Sequence, residues 1–440
     1  MTRYIFCPPE NIPDSRRAGE EYISLYGSTH HSNFDVGDAA IQLKRQVSRS
    51  GIKPSIEAWD FCSIAMAVAT VDKSVPRKDS ADGWTRILKV EVQLHEPLIW
   101  QSQIPSLEKT LRFLTGDFWD ITPTSGGEPP PSPKQLNAAN VDCVSLLSGG
   151  IDSLAGAIDL CRSGRRPILV SKIVRGNTPF QVEIAKKLVS EECHVQWGFN
   201  NRSPLQGENS TRGRSIVFFA FAALVASSIS LHQKNNNLVP IYVPENGFIS
   251  LNLPLTPLRI GTLSTKTTHP VYLRGLQEIW DSVGIRGLIK TPFNYQFKTK
   301  GEILEGCLDS DMLRVAIGKS TSCGRYGHYS QTHCGRCVPC LVRRAAFLKA
   351  GLADTTEETD FKGRRCRYVF DNLALAAKEK SATDIRAVGQ ACLKITEDGI
   401  EKFIGGGLSF CSPDERANYV NVVERGIEEL RTLLKAHKVL

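Results

Sequence analysis

Residues 141–164 read VDCVSLLSGGIDSLAGAIDLCRSG, and the fold turns on how this stretch is read. Val141–Leu147 is a short, partly β-branched apolar run, whereas the residues from Ile151 onward have helical spacing and end at Gly164. Gly149 and Gly150 therefore fall on a strand-to-helix turn, fenced by Ser148, Asp152 and Ser153. A turn without side chains lets backbone N–H groups approach a phosphate, and the dipole of the helix behind it favours negative charge. Ser148 and Ser153 add hydroxyl donors, and Asp152 is a carboxylate able to hold a magnesium ion against the same phosphates. The spacing is not that of a Walker A loop, which needs Gly-x-x-x-x-Gly-Lys-Ser/Thr. Taken alone, the two glycines also fit a purely structural turn.

Outward from this turn, short apolar runs alternate with helical segments. RPILVSKIV, HVQWGF and VPIYVPENGF read as buried strands, and TPFQVEIAKKLVSEE, RSIVFFAFAALVASSISL and PVYLRGLQEIWDSVG as the helices between them. That alternation predicts an α/β fold with a doubly wound parallel sheet, whose ligands sit beyond the carboxyl ends of the strands. We place this unit at residues 141–354. Residues 1–121 carry strand-like signals, SIAMAVATVD as a near-continuous apolar run and TRILKVEVQL by alternation, and predict an N-terminal β-rich accessory domain. Residues 122–140 open with TPTSGGEPPPSPK, which crowds five prolines and two glycines together and reads as a linker. Residues 355–440 are expected to be a helical tail; in its last segment Val423, Ile427, Leu430 and Leu434 recur at three- and four-residue steps, marking a packing helix.

The chain has 440 residues, 41% of them hydrophobic, enough for a large core in several units. No apolar run reaches 18 residues; IVFFAFAALVASSISL at 216–231 reads as a buried helix. The N-terminus, MTRYIFCPPENIP, lacks an apolar export signal. Thirteen cysteines, most of them single within apolar segments (Cys62, Cys143, Cys161, Cys193), fit a reducing, cytoplasmic setting. A net charge of +8 allows phosphate or nucleic-acid partners without requiring them.

The second strong signal is TSCGRYGHYSQTHCGRCVPCLVRRAAFLKAG. Cys323, Cys334, Cys337 and Cys340 can close a tetrahedral shell of four thiolates, which suits structural zinc; redox-active cysteines are the competing reading, and His328 and His333 are alternative ligands. Between 285 and 351, eleven Lys or Arg face four Asp or Glu, a polarity that suits a polyphosphate and equally RNA.

SGGIDS resembles the Ser-Gly-Gly-x-Asp-Ser signature of the PP-loop ATP pyrophosphatases, and the cysteine spacing followed by LVRRAAF resembles the end of the QueC (7-cyano-7-deazaguanine synthase) family, as does TPFNYQFKTKGEIL. The resemblance spans about residues 141–352. It implies a HUP-like fold of the adenine nucleotide alpha-hydrolase type, ATP with Mg2+ and Zn2+ as cofactors, and cleavage of ATP to AMP and pyrophosphate to activate 7-carboxy-7-deazaguanine for amide and then nitrile formation with ammonia. Carried onto this chain, Ser148, Gly149, Gly150, Asp152 and Ser153 would hold the pyrophosphate end of ATP. Arg214, before a buried helix, would meet a phosphate or the adenylate, a surface cap being the alternative. Lys298 and Lys300 match a family Lys-x-Lys and would neutralise phosphate, a solvated charge run being the alternative. Glu245 and Asn246 stand at a strand end where a base edge or magnesium could be met, unless Glu245 caps the turn.

Two departures matter. The segment ENGFISLNLPLTPLRIGTLSTKTTHP lacks the acidic, aromatic set with which the family reads its base. The chain is also much longer than a QueC enzyme, and its layout resembles the QatC family, the QueC-like components of four-protein Qat anti-phage systems, which act beside an ATPase, a small partner and a TatD-like nuclease. That resemblance implies a role in antiviral defence, with an amine of a partner protein or ammonia as the acyl acceptor. A catalytically silent nucleotide-binding scaffold is the alternative from a different class, and a tRNA-modifying PP-loop enzyme a third.

Overall fold

The computed structural model describes residues 2–28, 33–134, 140–174, 176–202, 207–233, 237–255, 266–356, 358–359 and 365–440. Part of the predicted linker (135–139) and part of the segment after Glu245 (256–265) lie outside the described residues.

Two sheets organise the chain. In the first, β1 (Arg3–Cys7), β2 (Glu20–Leu25), β3 (Gly37–Ala39), β4 (Ile87–Leu94) and β5 (Phe118–Ser125) run parallel in the order β5-β4-β1-β2-β3. In the second, β6 (Cys143–Leu146), β7 (Pro167–Lys172), β8 (His194–Trp197), β10 (Val239–Tyr242) and β11 (Gly287–Lys290) form an all-parallel sheet in the order β11-β10-β6-β7-β8. The strand β9 (Asn201–Arg202) leaves the second unit to pair antiparallel with β3 of the first. The second sheet is the expected parallel sheet. The chain grows from β6 through β7 to β8 on one side and returns to β10 and β11 on the other. The strand order thus reverses between β6 and β10, where a crevice opens in such sheets.

The N-terminal region is α/β rather than β-rich. The apolar run Ser63–Asp72, expected as a strand, lies inside the helix Ile56–Ser74, and a second helix, Ile104–Thr115, leads into β5. An apolar run of this length does not distinguish a buried strand from a buried helix. Here Ala and Met are as numerous as the β-branched residues, Ser55 caps the helix by accepting from the Ala58 N–H, and every residue from Ala58 to Asp72 is buried, so no amphipathic stripe marks the period. The proline-rich stretch also starts later than its composition suggests: Thr122–Ser125 complete β5 beside β4, and Gly127 donates to the Leu94 carbonyl at 3.0 Å. A Cβ on Gly127 would come within 2.6 Å of the Leu94 Cα, so glycine is needed for this close approach.

The helix Ile56–Ser74 packs on the helix Ile216–Gln233, and one hydrophobic core runs through both sheets. The latter segment is the one candidate among the described residues long and apolar enough to cross a membrane, and most of it is buried in this core. A buried ion network pins its start. Arg77 donates twice to Asp117 at 2.9 Å, Arg86 bridges Asp117 and Asp72, and Asp72 accepts from the Arg212 and Gly213 N–H groups at 2.7 Å each. The C-terminal residues form helices around a second core, with Val423, Ile427, Leu430 and Leu434 of the helix Pro413–Ala436 buried in it as their spacing predicts.

Candidate functional site

Strand β6 ends at Leu146, and the chain turns through Leu147–Gly150 into the helix Ile151–Arg162. Gly149 has φ +92°, a left-handed conformation that suits glycine, and its carbonyl accepts from the Thr321 N–H at 2.9 Å. Gly150 caps the helix with no side chain on its first amides, leaving a helix N-terminus able to receive an anion. Ser148 and Ser153 meet through their hydroxyls at 3.0 Å, and Ser153 donates to the Gly150 carbonyl at 2.9 Å. Gln181, fully buried, donates to the carbonyls of Leu147 (3.1 Å) and Ser148 (3.0 Å) and so fixes the turn from behind.

The helix that starts at this turn brings Asp152 inward, where it meets residues from two other elements. Lys300, the first residue of the helix Lys300–Glu305, lies 2.6 Å from Asp152 Oδ2, and Asn246, which follows β10, donates to the same oxygen at 2.8 Å. Asn246 also reaches Glu245 at 3.1 Å and accepts from the Ile249 N–H, which fixes its rotamer. Asp152 Oδ1 is buried without a hydrogen-bond partner. Burial pushes the Asp152 carboxyl up, but Lys300, Glu245 and Asn246 outweigh it and hold it below the usual range. Burial and the Asp152 charge push Glu245 well above its usual range.

Asp152, Glu245 and Lys300 line one cavity of about 310 Å3 with Ser148, Gly150, Ser153, Asn177 and Thr321–Gly324. It lies at the crevice between β6 and β10. The structure thus brings together Ser148, Gly150, Asp152, Ser153, Glu245 and Lys300, with Gly149 shaping the turn. It does not bring in Arg214 or Lys298. Arg214 is exposed in the turn Gly213–Ser215, close enough to Lys172 at the end of β7 to help depress that ammonium, which burial chiefly lowers to about 8. The Lys298 ammonium lies 5.7 Å from the Tyr295 ring centroid, and its carbonyl accepts from the Gly247 N–H.

Cys323, Cys334, Cys337 and Cys340 form a buried cluster with all four sulfurs within 4.8 Å of one another, a group able to hold a metal ion and compatible with zinc. Backbone N–H groups of Arg325 and Cys334 point at Cys323 Sγ (3.3 and 3.4 Å), and that of Cys337 at Cys334 Sγ (3.3 Å), which favours thiolates. His333 is engaged otherwise, its Nε2 accepting from the Ser322 N–H at 3.0 Å, while His328 packs edge-on against Tyr329. The cluster forms part of the cavity wall, because Cys323, Gly324 and Pro339 line it too. Arg343, wholly buried, locks this wall by donating to the carbonyls of Ile317 and Ser320 and to Thr356.

Sequence reasoning passed over Gln181, Asn177 and Thr321. Gln181 carried a signal, a polar residue on the buried face of an apolar helix, whereas Thr321 acts through its backbone and left none. No protein-family model matches the chain.

Proposed function

We propose that the chain is an ATP-dependent, AMP- and pyrophosphate-forming enzyme that adenylates a carboxylate, 7-carboxy-7-deazaguanine being the first acid to test. The observation that carries this reading is the uncapped helix N-terminus behind Gly149–Gly150, which opens into one cavity with Asp152, Glu245 and Lys300. The amides of the turn and the hydroxyls of Ser148 and Ser153 bind the β- and γ-phosphates. A carboxylate oxygen attacks the α-phosphorus, the bond to the bridging oxygen breaks, and pyrophosphate leaves with the electron pair. Lys300 opposes the negative charge that builds on the phosphoryl oxygens. Asp152, with its unpartnered Oδ1, and Glu245 suit a magnesium ion, which when bound would supply further charge neutralisation of the polyphosphate. An amine then attacks the acyl carbon and AMP leaves. The acceptor is an amine of a partner protein, giving an amide conjugate, or ammonia, leading toward the nitrile. The resemblance of the chain's length and domain order to the QatC family is the ground for placing it in an anti-phage defence complex, and the four cysteines are proposed to hold structural zinc.

ATP labelled at the α-phosphate, incubated with the chain and 7-carboxy-7-deazaguanine, tests the reaction. AMP with matching pyrophosphate is expected; ADP, or no turnover with this acid and its analogues, overturns it. One observation favours the second reading, a silent nucleotide-binding scaffold: Asp152 Oδ2 is already engaged by both Lys300 and Asn246. On that reading ATP binds and is not cleaved.

A further inference from the structure

Lys300, the cation beside Asp152, stands between two residues held by one side chain of the C-terminal helix Pro413–Ala436. Thr299, before it, donates its hydroxyl hydrogen bond to Glu429, and the Gly301 N–H, after it, donates to the same carboxyl. Resting on the adenylation reading above, we propose that Glu429 is a positioning residue for that reaction: it fixes the start of the helix Lys300–Glu305 so that the Lys300 ammonium is aimed at Asp152 and at the transferring phosphoryl group.

The grip is local and two-sided. Thr299 caps the helix by accepting from the Glu302 N–H at 3.1 Å, while Glu302 Oε2 accepts from the Thr299 N–H at 2.9 Å. A Cβ on Gly301 would lie 2.6 Å from Glu429 Oε1 and 2.5 Å from Lys349 Cγ, so glycine lets the two helices come this close. One turn earlier on the C-terminal helix, Arg425 donates to the Phe297 carbonyl at 2.8 Å and to Glu302 at 2.5 Å, which closes the hold on either side of the Thr299–Gly301 step. At its other end Lys300 reaches Asp152 Oδ2 at 2.6 Å. Its ammonium is thus fixed by Asp152 and its backbone by Glu429.

Glu429 has no competing task. It is buried and makes no ion pair among the described residues, whereas around the cavity of about 260 Å3 that it borders Glu302 is tied to Arg425, Lys349 to Glu305 and Glu428 to Arg431. A buried carboxyl without a cation is costly unless it accepts hydrogen bonds, and here both donors flank Lys300. This cavity shares no lining residue with the one formed by Ser148, Asp152 and Glu245, so Glu429 acts on the reaction through Lys300 rather than by touching a reacting group. Placement of this kind matters, since a shift of about 1 Å in a site can cost about a hundredfold in rate.

The test is trace acetylation of the full chain with acetic anhydride, read residue by residue by mass spectrometry, alongside kcat for AMP formation and affinity for a fluorescent ATP analogue. In Glu429→Ala, Lys300 labelling is expected to rise about fivefold or more, while Lys298, two residues earlier beside Tyr295, stays within about twofold. The same variant should lose about tenfold or more in kcat with nucleotide affinity within about threefold. Glu429→Gln keeps an oxygen that accepts from Thr299 and Gly301 and is expected to stay near the wild type by every readout. Arg425→Ala, at an exposed position, should raise Lys300 labelling in the same sense by a smaller factor, and it carries the test where Glu429→Ala does not fold. Lys300 labelling that does not rise in either Ala variant, that rises in step with Lys298, or that is as high in Glu429→Gln as in Glu429→Ala overturns the positioning role and leaves adenylation standing. A wild-type chain that makes no AMP, with Lys300 still selectively uncovered in Glu429→Ala, overturns adenylation and leaves the aiming of Lys300 by Glu429 in place.

Discussion

Replacing Lys300 by Met removes the cation from a pair that is buried on both sides, Asp152 being 4% and Lys300 7% exposed, with 2.6 Å between nitrogen and oxygen. The variant leaves Asp152 two options. It can stay ionised on its remaining neighbours Asn246 and Glu245, or take up a proton. Protonation sets the ceiling, because it is always available. A carboxyl with an unfolded pKa of about 3.9 costs about 4 kcal/mol to keep neutral at pH 7, at 1.36 kcal/mol per unit. With Asn246 still in place, the expected loss is about 2–4 kcal/mol, in line with breaking a buried pair from one side. The sign with pH follows. In the wild type the depressed Asp152 pKa contributes stability that is present above about 3.9 and lost as pH falls through the folded value. In the variant burial raises that pKa, so the penalty grows with pH. Urea unfolding of both proteins at pH 7 and pH 5 should therefore show a gap that narrows by about 1–3 kcal/mol in acid. The double variant Lys300→Met with Asp152→Asn should recover most of the loss at pH 7, since no buried charge remains. A cost below about 1 kcal/mol, or a gap independent of pH, would refute the assignment of Asp152 as the anion held by Lys300.

Three further outcomes are expected. Gly149→Ala places a Cβ at φ +92° and 3.3 Å from Asn177, so the turn must shift at a cost of about 1–2 kcal/mol and ATP affinity should fall about tenfold; Gly164→Ala, at φ +84° with open space around it, carries similar strain and should leave ATP binding unchanged. Cys337→Ser should reduce bound metal from about one per chain to a small fraction by mass spectrometry, and weaken ATP binding because the cysteine loop walls the phosphate cavity; full metal retention would count against the four-cysteine site. Glu429 is pushed up to about 7, mainly by burial, so its contribution is present below the usual carboxyl range and is lost as pH rises through about 7. Glu429→Gln should gain stability over the wild type between pH 5 and 7, with a constant difference above about 8; a difference that does not vary with pH would contradict it.

The parallel sheet and its glycine turn were legible because both are local. Short apolar runs between helical segments specify parallel strands, and a Ser-Gly-Gly-x-Asp-Ser turn at a strand end has few physical uses. The cysteines were equally plain, since metal-ligand spacing survives any tertiary arrangement. What stayed hidden depended on burial or on distant pairing. Ser63–Asp72 gave no helical period because the helix is buried all round. Gly287–Lys290 carries only two large apolar residues, both part-exposed, between a glycine and a lysine, so no apolar run marked it. Lys298 and Lys300 were indistinguishable in sequence, and only the cap at Thr299 separates them: it ends the extended chain, so Lys300 opens a helix facing Asp152 while Lys298 stays outside on Tyr295.

That same cap shows why the regions at either end of the chain are not detachable from the site. Thr299 accepts from the Glu302 N–H and donates its own hydroxyl hydrogen bond to Glu429, a carboxyl on the C-terminal helix Pro413–Ala436. Gly301 follows at once, and a Cβ there would lie 2.6 Å from the Glu429 oxygen, so the C-terminal helix sits directly against the residues flanking Lys300. At the other end, Asp72 of the N-terminal region holds the amides that begin the central helix Ile216–Gln233, and that helix packs on β6, β7, β10 and β11. The glycine turn is the continuation of β6 and Glu245 lies three residues beyond β10. A disturbance of either terminal region therefore reaches the distance between Lys300, Asp152 and Glu245 through buried contacts, and the parallel sheet that carries the glycine turn cannot be treated as an independent core with passive additions.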